Sequence, residues 1–181
     1  GFIQGLGMPL AEAILSADLD DAARQELRAA MDELLDDLDD AIESGELDVI
    51  LMALEYGWAE ITDEMYEAGE EEGWIDFDML DEARLNVLER QGRSDEFLQL
   101  SSQVDPLRHM LKLIELNRLD DAIAASQSLN TGHQILTAAQ KLRETGRLND
   151  AITLAERGLC EPSLLNQALA NWLAPLEETQ G

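Results

Sequence analysis

The sequence predicts an all-α protein built from about ten helices. Three observations favour this class. Leu and Ala, which are strong helix formers, dominate the apolar residues, and only 4% of the chain is aromatic. Apolar residues recur at spacings of three and four, whereas a half-buried strand would show strict alternation. Glycines and asparagines follow the periodic segments, and acidic residues begin the next ones, as helix ends and starts require.

The first long helical segment is expected to begin after Asp18, an N-cap candidate, with Asp20 and Asp21 in its first turn. Gly45 is expected to end this helix. Its apolar residues recur at spacings of four, three, four and four, and they are Leu27, Met31, Leu34, Leu38 and Ile42. Further helices are predicted over 46–56, 58–69 and 76–91, the last with Leu80, Val87 and Leu88 on its inner side.

From residue 87 onward, three turns share one pattern that indicates an internal repeat. A glycine or asparagine ends a helix, an arginine follows, an acidic or amide side chain starts the next helix, and a small residue enters the core. The helix-ending residues are Gly92, Asn117 and Gly146, the arginines are Arg93, Arg118 and Arg147, and the small residues are Ala122 and Ala151.

The repeat resembles the second half of a tetratricopeptide-type hairpin, although its arginines stand 25 and 29 residues apart and the regular repeat has about 34. We therefore expect a degenerate solenoid: stacked antiparallel helix pairs in a right-handed superhelix. Asp105-Pro106 is predicted to open one further helix. Pro162 precedes the last one, over 164–173, and a frayed tail is expected over 177–181.

Charge divides the chain into two predicted parts, an acidic helical part over 1–83 and a repeat part over 84–181, expected to pack as one continuous domain. Residues 1–100 carry 29 acidic and 5 basic side chains, and residues 101–181 carry 10 and 7. Such a surface repels phosphates and anionic membranes, which argues against direct nucleic-acid or membrane binding. It favours a basic protein partner. The sequence leaves the oligomeric state open.

Cys160 is the only cysteine, so no intrachain disulfide can form. We expect it to be buried, as in a reducing compartment. The longest apolar run, 49–54, is far shorter than the ~20 residues that span a bilayer. The apolar opening stretch lacks the basic residues of a signal peptide. These features predict a cytoplasmic protein, and Gly1 in place of Met indicates a piece of a longer chain.

No motif in the sequence predicts catalysis, a cofactor or a metal. His109 and His133 have no ligand at metal-binding spacing. The acidic stretch 76–81 lacks the sixth-position glycine and the twelfth-position acid of a calcium loop. Neither Cys160 nor Ser101-Ser102 lies in a nucleophile motif, and no phosphate-binding glycine loop occurs. The chain is therefore predicted not to be an enzyme.

The most unusual constellation joins acidic and aromatic residues. Between positions 29 and 83 the chain has 21 acidic and no basic residues, and five of its eight aromatics lie within 56–77. Like-charge pairs four residues apart cost about 1–2 kcal/mol in total over 32–43, which an ordinary solvated face would avoid by mixing signs. Core filling between short helices is the more ordinary explanation of the aromatics, because large aromatic side chains usually dominate cores. The candidate partner-binding residues are Asp36, Asp37, Asp39, Asp40, Tyr56, Trp58, Tyr66 and Trp74.

Three segments carry a resemblance to a known family: Leu54-Glu55-Tyr56-Gly57-Trp58, the repeat at 146–152, and Ala155-Glu156-Arg157-Gly158-Leu159. Together they resemble the helical region that follows the zinc finger of bacterial SWIM zinc-finger proteins. The resemblance covers roughly residues 19–162. It implies a protein-interaction module attached to a nucleic-acid-associated finger. The finger itself needs three cysteines and a histidine, so it is absent here, and no catalytic residue is carried over.

The sequence therefore predicts a protein–protein interaction scaffold. A first alternative is an acidic nucleic-acid mimic or inhibitor that occupies a partner's basic groove, favoured by the charge of the first hundred residues. A second is an enzyme with its site on the concave helical surface, for which converging polar groups with shifted pKa values would be needed.

Overall fold

The computed structural model describes residues 5–17, 19–36, 44–62, 65, 77–160 and 166–178. All regular structure in these residues is helical, which confirms the all-α class and the expected number of helices. The helices are α1 (Gly7–Ser16), α2 (Asp21–Asp36), α3 (Ser44–Glu55), α4 (Phe77–Arg90), α5 (Ser94–Val104), α6 (Pro106–Glu115), α7 (Leu119–Ala125), α8 (Gly132–Glu144), α9 (Leu148–Cys160) and α10 (Asn166–Glu178), with a 3₁₀ turn at Ser126–Ser128 after α7.

The chain forms two compact units, Gly1–Arg93 (unit 1) and Ser94–Gly181 (unit 2). The division expected from charge, after residue 83, falls inside α4, and the compact units instead divide after that helix ends. The expectation that both parts pack as one domain stays a prediction.

Unit 1 is built around α1, α3 and α4, which pack on one another, and α2 packs on α3. The inward face of α4 follows helical spacing, and the predicted inner residues Leu80, Val87 and Leu88 are all buried. The fully buried core is Ala11, Leu15, Val49, Met52, Ala53, Phe77, Leu80, Ala83 and Val87.

The first acidic helix differs from its prediction at both ends. Asp20 Oδ1 accepts a hydrogen bond from the Ala23 backbone N–H at 2.8 Å, so Asp20 caps α2, whereas Asp18 lies outside the described residues. Gly45 was expected to end this helix but lies in the first turn of α3. Leu27, expected to face inward, is 38% exposed. Leu38 and Ile42 lie outside the described residues.

The prediction of a helix over 58–69 is wrong in its described first part, because Trp58 to Thr62 are not helical. The preceding residue, Gly57, has a φ of +51°, and that left-handed conformation turns the chain away from the α3 axis. In the rest of that predicted helix, over 63–69, only Met65 is described.

In unit 2 four pairs of consecutive helices pack together: α5 on α6, α6 on α7, α8 on α9, and α9 on α10. Helices two apart in sequence, α6 with α8 and α8 with α10, are also in contact. Gly158 lies where the packing of α9 is closest, since a Cβ there would come within 2.8 Å of Ile135 and Leu169 side-chain atoms.

The three repeat turns have one geometry, which confirms the prediction for their helix-ending residues. Gly92, Asn117 and Gly146 have φ of +68°, +58° and +81°. After each, the arginine N–H donates to a carbonyl five residues earlier, at 2.8–3.0 Å, which satisfies a helix-end acceptor: Arg93 to Leu88, Arg118 to Leu113, and Arg147 to Leu142.

Two of the repeat arginines also bind the first turn of the helix that follows. Arg118 Nε donates to Asp121 Oδ2 at 2.8 Å, and Arg147 Nε donates to Asp150 Oδ2 at 2.6 Å. Arg147 Nη1 reaches back to Asp120 Oδ1 of the previous repeat, at 3.1 Å. The hydrogen bonds that Arg147 donates to Asp150 and Asp120 raise the pKa of its guanidinium above the usual value. The turn motif therefore also ties consecutive repeats together.

The other predicted helix ends in unit 2 have mixed outcomes. Asp105 caps α6 by accepting from the Arg108 N–H at 3.0 Å, with Pro106 in the first turn, as expected. The last helix continues to Glu178, past its predicted end at 173 and through Pro175, because Leu176 is buried along with Leu169 and Leu173.

Cys160 was expected to be buried but is exposed. It is the last residue of α9, whose inner side carries Ala151, Leu154, Ala155 and Gly158. Two residues beyond Gly158 correspond to about 200° around the helix, so the Cys160 side chain lies on the opposite side.

We predict that Ala151→Leu lowers the free energy of unfolding by about 1–3 kcal/mol, because Ala151 has no exposed surface and the added atoms would overpack the core. The matched control is Ala124→Leu, at an exposed position of α7, which should change stability by about 0.5 kcal/mol or less. Urea denaturation followed by circular dichroism measures both variants. Equal stability of the two would show that Ala151 does not lie at a close crossing.

Candidate protein-interaction surface

A buried arginine organises the connection that follows α3 in unit 1. Arg84 is 4% exposed and lies on α4 beside Asp81, which is 2% exposed. Its Nη1 donates to Asp81 Oδ1 at 3.1 Å, its Nε to the Gly57 carbonyl at 2.8 Å, and its Nη2 to the Ala59 carbonyl at 2.8 Å. Because the backbone of 57–59 binds this side chain, those residues are held in an irregular turn.

Gly57 is the residue that makes this turn possible. It combines positive φ with burial, and a Cβ at this position would overlap Arg24 Nη1. Arg24 in turn forms an ion pair with Asp21 of the same helix. Glycine is favoured here by the left-handed conformation, and it also lets the Arg24 guanidinium lie directly against the turn.

Two of the predicted aromatic residues flank Gly57, and both are half-buried. The Trp58 indole Nε1–H donates to the Leu15 carbonyl at 3.0 Å, and the Arg93 guanidinium lies 4.9 Å from the Trp58 ring centroid. Tyr56 packs edge-on against Phe77, with 5.4 Å between ring centroids. Each ring therefore supports the core on one side and is partly open on the other.

These elements enclose a half-open pocket of about 240 Å³, the Tyr56–Trp58 pocket. The ends of α1 and α3, the start of α2 and the turn at Gly57 form its walls. Its side chains are mostly apolar or aromatic, namely Ile14, Leu15, Leu19, Ala53, Tyr56 and Trp58, and Ala59 lies on the turn. Arg24 and Glu55 supply the charged groups of the wall.

Glu12 connects α1 to α4 on another side of unit 1. It is buried, and its Oε2 lies 2.8 Å from Arg90 Nη1. Its Oε1 accepts from Asn86 Nδ2, also at 2.8 Å. This carboxylate holds the helix that carries Arg84 against the helix that carries Leu15.

Every basic side chain of unit 1 is already bound within the unit. Unit 1 has 27 acidic and 5 basic residues, a formal net charge of −22. Arg24 and Arg28 pair with Asp21 and Glu55. Arg84 pairs with Asp81, Arg90 pairs with Glu12, and the Arg93 guanidinium lies over the Trp58 ring.

Most acidic residues of unit 1 in the described part of the chain are exposed. They are Asp20, Asp21, Glu26, Glu33, Glu55, Glu60, Asp78, Glu82 and Glu89. Asp48 is an exception on α3, where partial burial raises the pKa of its carboxyl. The surface of unit 1 is therefore strongly negative, and its own arginines cannot neutralise it.

The structure places only part of the predicted partner-binding set. Tyr56 and Trp58 lie together at the pocket. Asp36 ends α2, and its side chain is outside the described residues. The other members, Asp37, Asp39, Asp40, Tyr66 and Trp74, also lie outside them.

The residues that build this surface but were not predicted are Asp81, Arg84, Gly57, Arg24 and Glu12. One sequence signal was available: Arg84 is the first basic residue after the run 29–83, and its position on the inner side of a predicted helix required a buried partner. Residues near position 57 in the sequence do not indicate the contact made there, because the Arg24 guanidinium that a Cβ would meet comes from another helix.

Other kinds of site are not supported by the described residues. No group of three or more His, Cys, Asp or Glu side chains could hold a metal ion there. Ser101 Oγ lies 3.2 Å from His109 Nδ1, but Ser101 has no exposed surface and could not reach a substrate. In the same part of the chain, no helix is both long and apolar enough to cross a membrane.

We predict that Arg84→Met lowers the free energy of unfolding by about 3–5 kcal/mol, because it leaves the Asp81 carboxylate buried without its cation. Arg28→Met is the control, since it removes a half-exposed pair with Glu55 and should cost about 0–1 kcal/mol. Urea denaturation measures both. Similar losses in the two variants would contradict a special role for the buried pair.

Gly57→Ala and Gly92→Ala separate conformational strain from steric overlap. Both residues have positive φ, so each substitution should cost about 1–2 kcal/mol. Only at Gly57 would the new methyl group meet another side chain, because nothing lies within 4 Å of a Cβ at Gly92. We expect the larger loss at position 57, and Arg24→Ala should remove the excess. Equal losses measured by thermal unfolding would contradict the contact with Arg24.

Comparison with known proteins assigns no family. No protein-family model, no curated protein and no solved structure matches the chain. The resemblance to the helical region of SWIM zinc-finger proteins therefore stays a prediction.

Proposed function

We propose that the chain is a protein-interaction scaffold and that unit 1 binds a basic partner protein. The observation that carries this proposal is that all five arginines of unit 1 are engaged internally, while most of its carboxylates in the described part of the chain face solvent. Exposed like charges destabilise a fold by mutual repulsion. A basic partner relieves that repulsion, and its approach is accelerated by the field of the surface.

Unit 2 supports the scaffold part of the proposal. Its repeated turns, the hydrogen bond between Arg147 and Asp120, and the contacts between helices two apart support an arrangement of stacked helix pairs. In this proposal unit 2 is a degenerate tetratricopeptide-like stack, and it presents an extended surface while unit 1 supplies the charge. The scaffold has no catalytic role in this proposal.

The resemblance to SWIM proteins gives the proposal a context. In that context the scaffold is attached to a nucleic-acid-associated zinc finger elsewhere in a longer protein, and the acidic unit recruits a basic protein to the same place. This part of the proposal is based on the sequence segments 54–58, 146–152 and 155–159.

The second candidate is a nucleic-acid mimic that occupies the basic groove of a DNA- or RNA-binding protein. The net charge of −22 on unit 1 favours it. Competition separates the two candidates: a mimic is displaced from its partner by DNA or RNA, whereas a scaffold partner stays bound while it holds nucleic acid.

We predict that reversing Asp36, Asp37, Asp39 and Asp40 to Lys abolishes binding to the partner recovered by pull-down and mass spectrometry. The physical reason is that four reversals change the charge of the surface by eight and repel a basic partner. For the unchanged chain, the association rate should fall as salt rises, because exposed charges are screened over about 10 Å at 0.1 M and about 3 Å at 1 M.

The matched control replaces the same four residues with Asn, which removes the negative charge without adding positive charge. We expect an intermediate loss of affinity and unchanged helical content by circular dichroism. Binding that survives the four Lys substitutions, with an association rate insensitive to salt, would contradict the proposed function.

A further inference from the structure

We propose that the Tyr56–Trp58 pocket receives one apolar side chain of a basic segment in the partner protein. This inference rests on the proposed function and adds the anchor point and the chemistry of the bound segment. The carboxylates around the pocket bind the flanking lysines and arginines of the segment, and the pocket binds the apolar residue between them.

The size of the pocket selects a side chain as its occupant. Its volume of about 240 Å³ is below the range of about 300–1,000 Å³ that is usual for small-molecule sites. It equals the volume of about eight water molecules at ~30 Å³ each, which accommodates a Leu, Ile or Met side chain from another protein. A nucleotide or a comparable cofactor would not be enclosed.

The chemistry of the walls selects an apolar occupant. Leu15, Leu19, Tyr56 and Trp58 provide apolar or aromatic surface. A lysine or arginine would meet the Arg24 guanidinium, which lies against Gly57 inside the wall. The one carboxylate in the wall, Glu55, is already 2.9 Å from Arg28 Nη1. Among the described wall residues, a cation therefore meets a carboxylate that is already paired.

The rim has the opposite character. Asp20 and Asp21 follow Leu19 along the chain, and Glu60 follows Ala59. Glu60 is exposed, and the Asp20 side chain is exposed although one of its oxygens caps α2. Asp21 pairs with Arg24, but its side chain is 87% exposed and one carboxylate can bind a second cation. Basic side chains on either side of an inserted apolar residue would face these carboxylates. Charge complementarity at the rim and apolar contact at the centre are the usual arrangement of an interface anchor.

The pocket is also formed before any partner arrives. Arg84 fixes the backbone of 57–59, and the Trp58 indole is hydrogen bonded to Leu15. Both constraints belong to the folded unit, so the walls need not be ordered on binding. A preformed pocket avoids the entropy cost that weakens interfaces built from flexible segments.

Two short synthetic lysine–alanine peptides test the inference on the full chain. One has a single central leucine, and the other has alanine at that position. Affinity is measured by titration at low and at physiological salt. The Trp58 indole N–H signal is followed by NMR as a probe of the pocket.

We expect the leucine peptide to bind about tenfold more tightly, which corresponds to about 1.4 kcal/mol, and to shift the Trp58 signal. Ala59→Leu, at an exposed position on the turn, should fill the mouth of the pocket and remove this advantage. Ala29→Leu, at an exposed position of α2 that does not line the pocket, should keep it. Circular dichroism confirms that both variants are folded.

Equal affinity of the two peptides, or a leucine advantage that survives Ala59→Leu, would overturn the inference. If both peptides then still bind in a salt-dependent way, the basic-partner function stands without the pocket. If neither peptide binds at low salt, the pocket and the basic-partner function fail together.

Discussion

The buried pair of Arg84 and Asp81 is the interaction on which the rest of unit 1 depends. A buried guanidinium needs a counter-ion and acceptors for its remaining N–H groups, and here the acceptors are the carbonyls of Gly57 and Ala59. Satisfying this one side chain stops the helical path after α3, requires glycine at position 57, and places Tyr56 and Trp58 on either side of a turn. The Tyr56–Trp58 pocket is a consequence of that constraint.

The same constraint shapes the electrostatics of the unit. Five arginines are the only cations available to 27 acidic residues, and each is used for structure: Arg84 in the core, Arg90 on Glu12, Arg93 on Trp58, and Arg24 and Arg28 at α2. Among the exposed carboxylates, Arg24 and Arg28 offset only Asp21 and Glu55, so the surface of the unit stays negative although every arginine is used.

In unit 2 the turns between helices are formed by residues close together in the sequence. Each repeat turn closes with a residue in the left-handed conformation and a backbone bond from the following arginine, within a few residues of sequence. Long-range contacts then add to a turn that is already formed. Arg147 binds Asp120, and Arg157 Nη2 donates to the carbonyls of Ser126 and Leu129 at 2.7 and 3.2 Å. Arginine serves as a connector in both units, but it determines the path of the chain only in unit 1.

The sequence by itself determined the helical class, the left-handed positions at 92, 117 and 146, the cap at Asp105 and the inner face of α4, because each of these follows from side chains within one or two turns of each other. Tertiary structure decided the rest. The path after Gly57 depends on Arg84, which is 27 residues away along the chain. The exposure of Leu27 depends on how much of α2 is covered by the elements packed against it. The last helix extends beyond its predicted end at residue 173, and Leu176 is buried in that extension. The pocket combines residues from three helices, and no periodicity along one segment encodes which side chains of another will surround it.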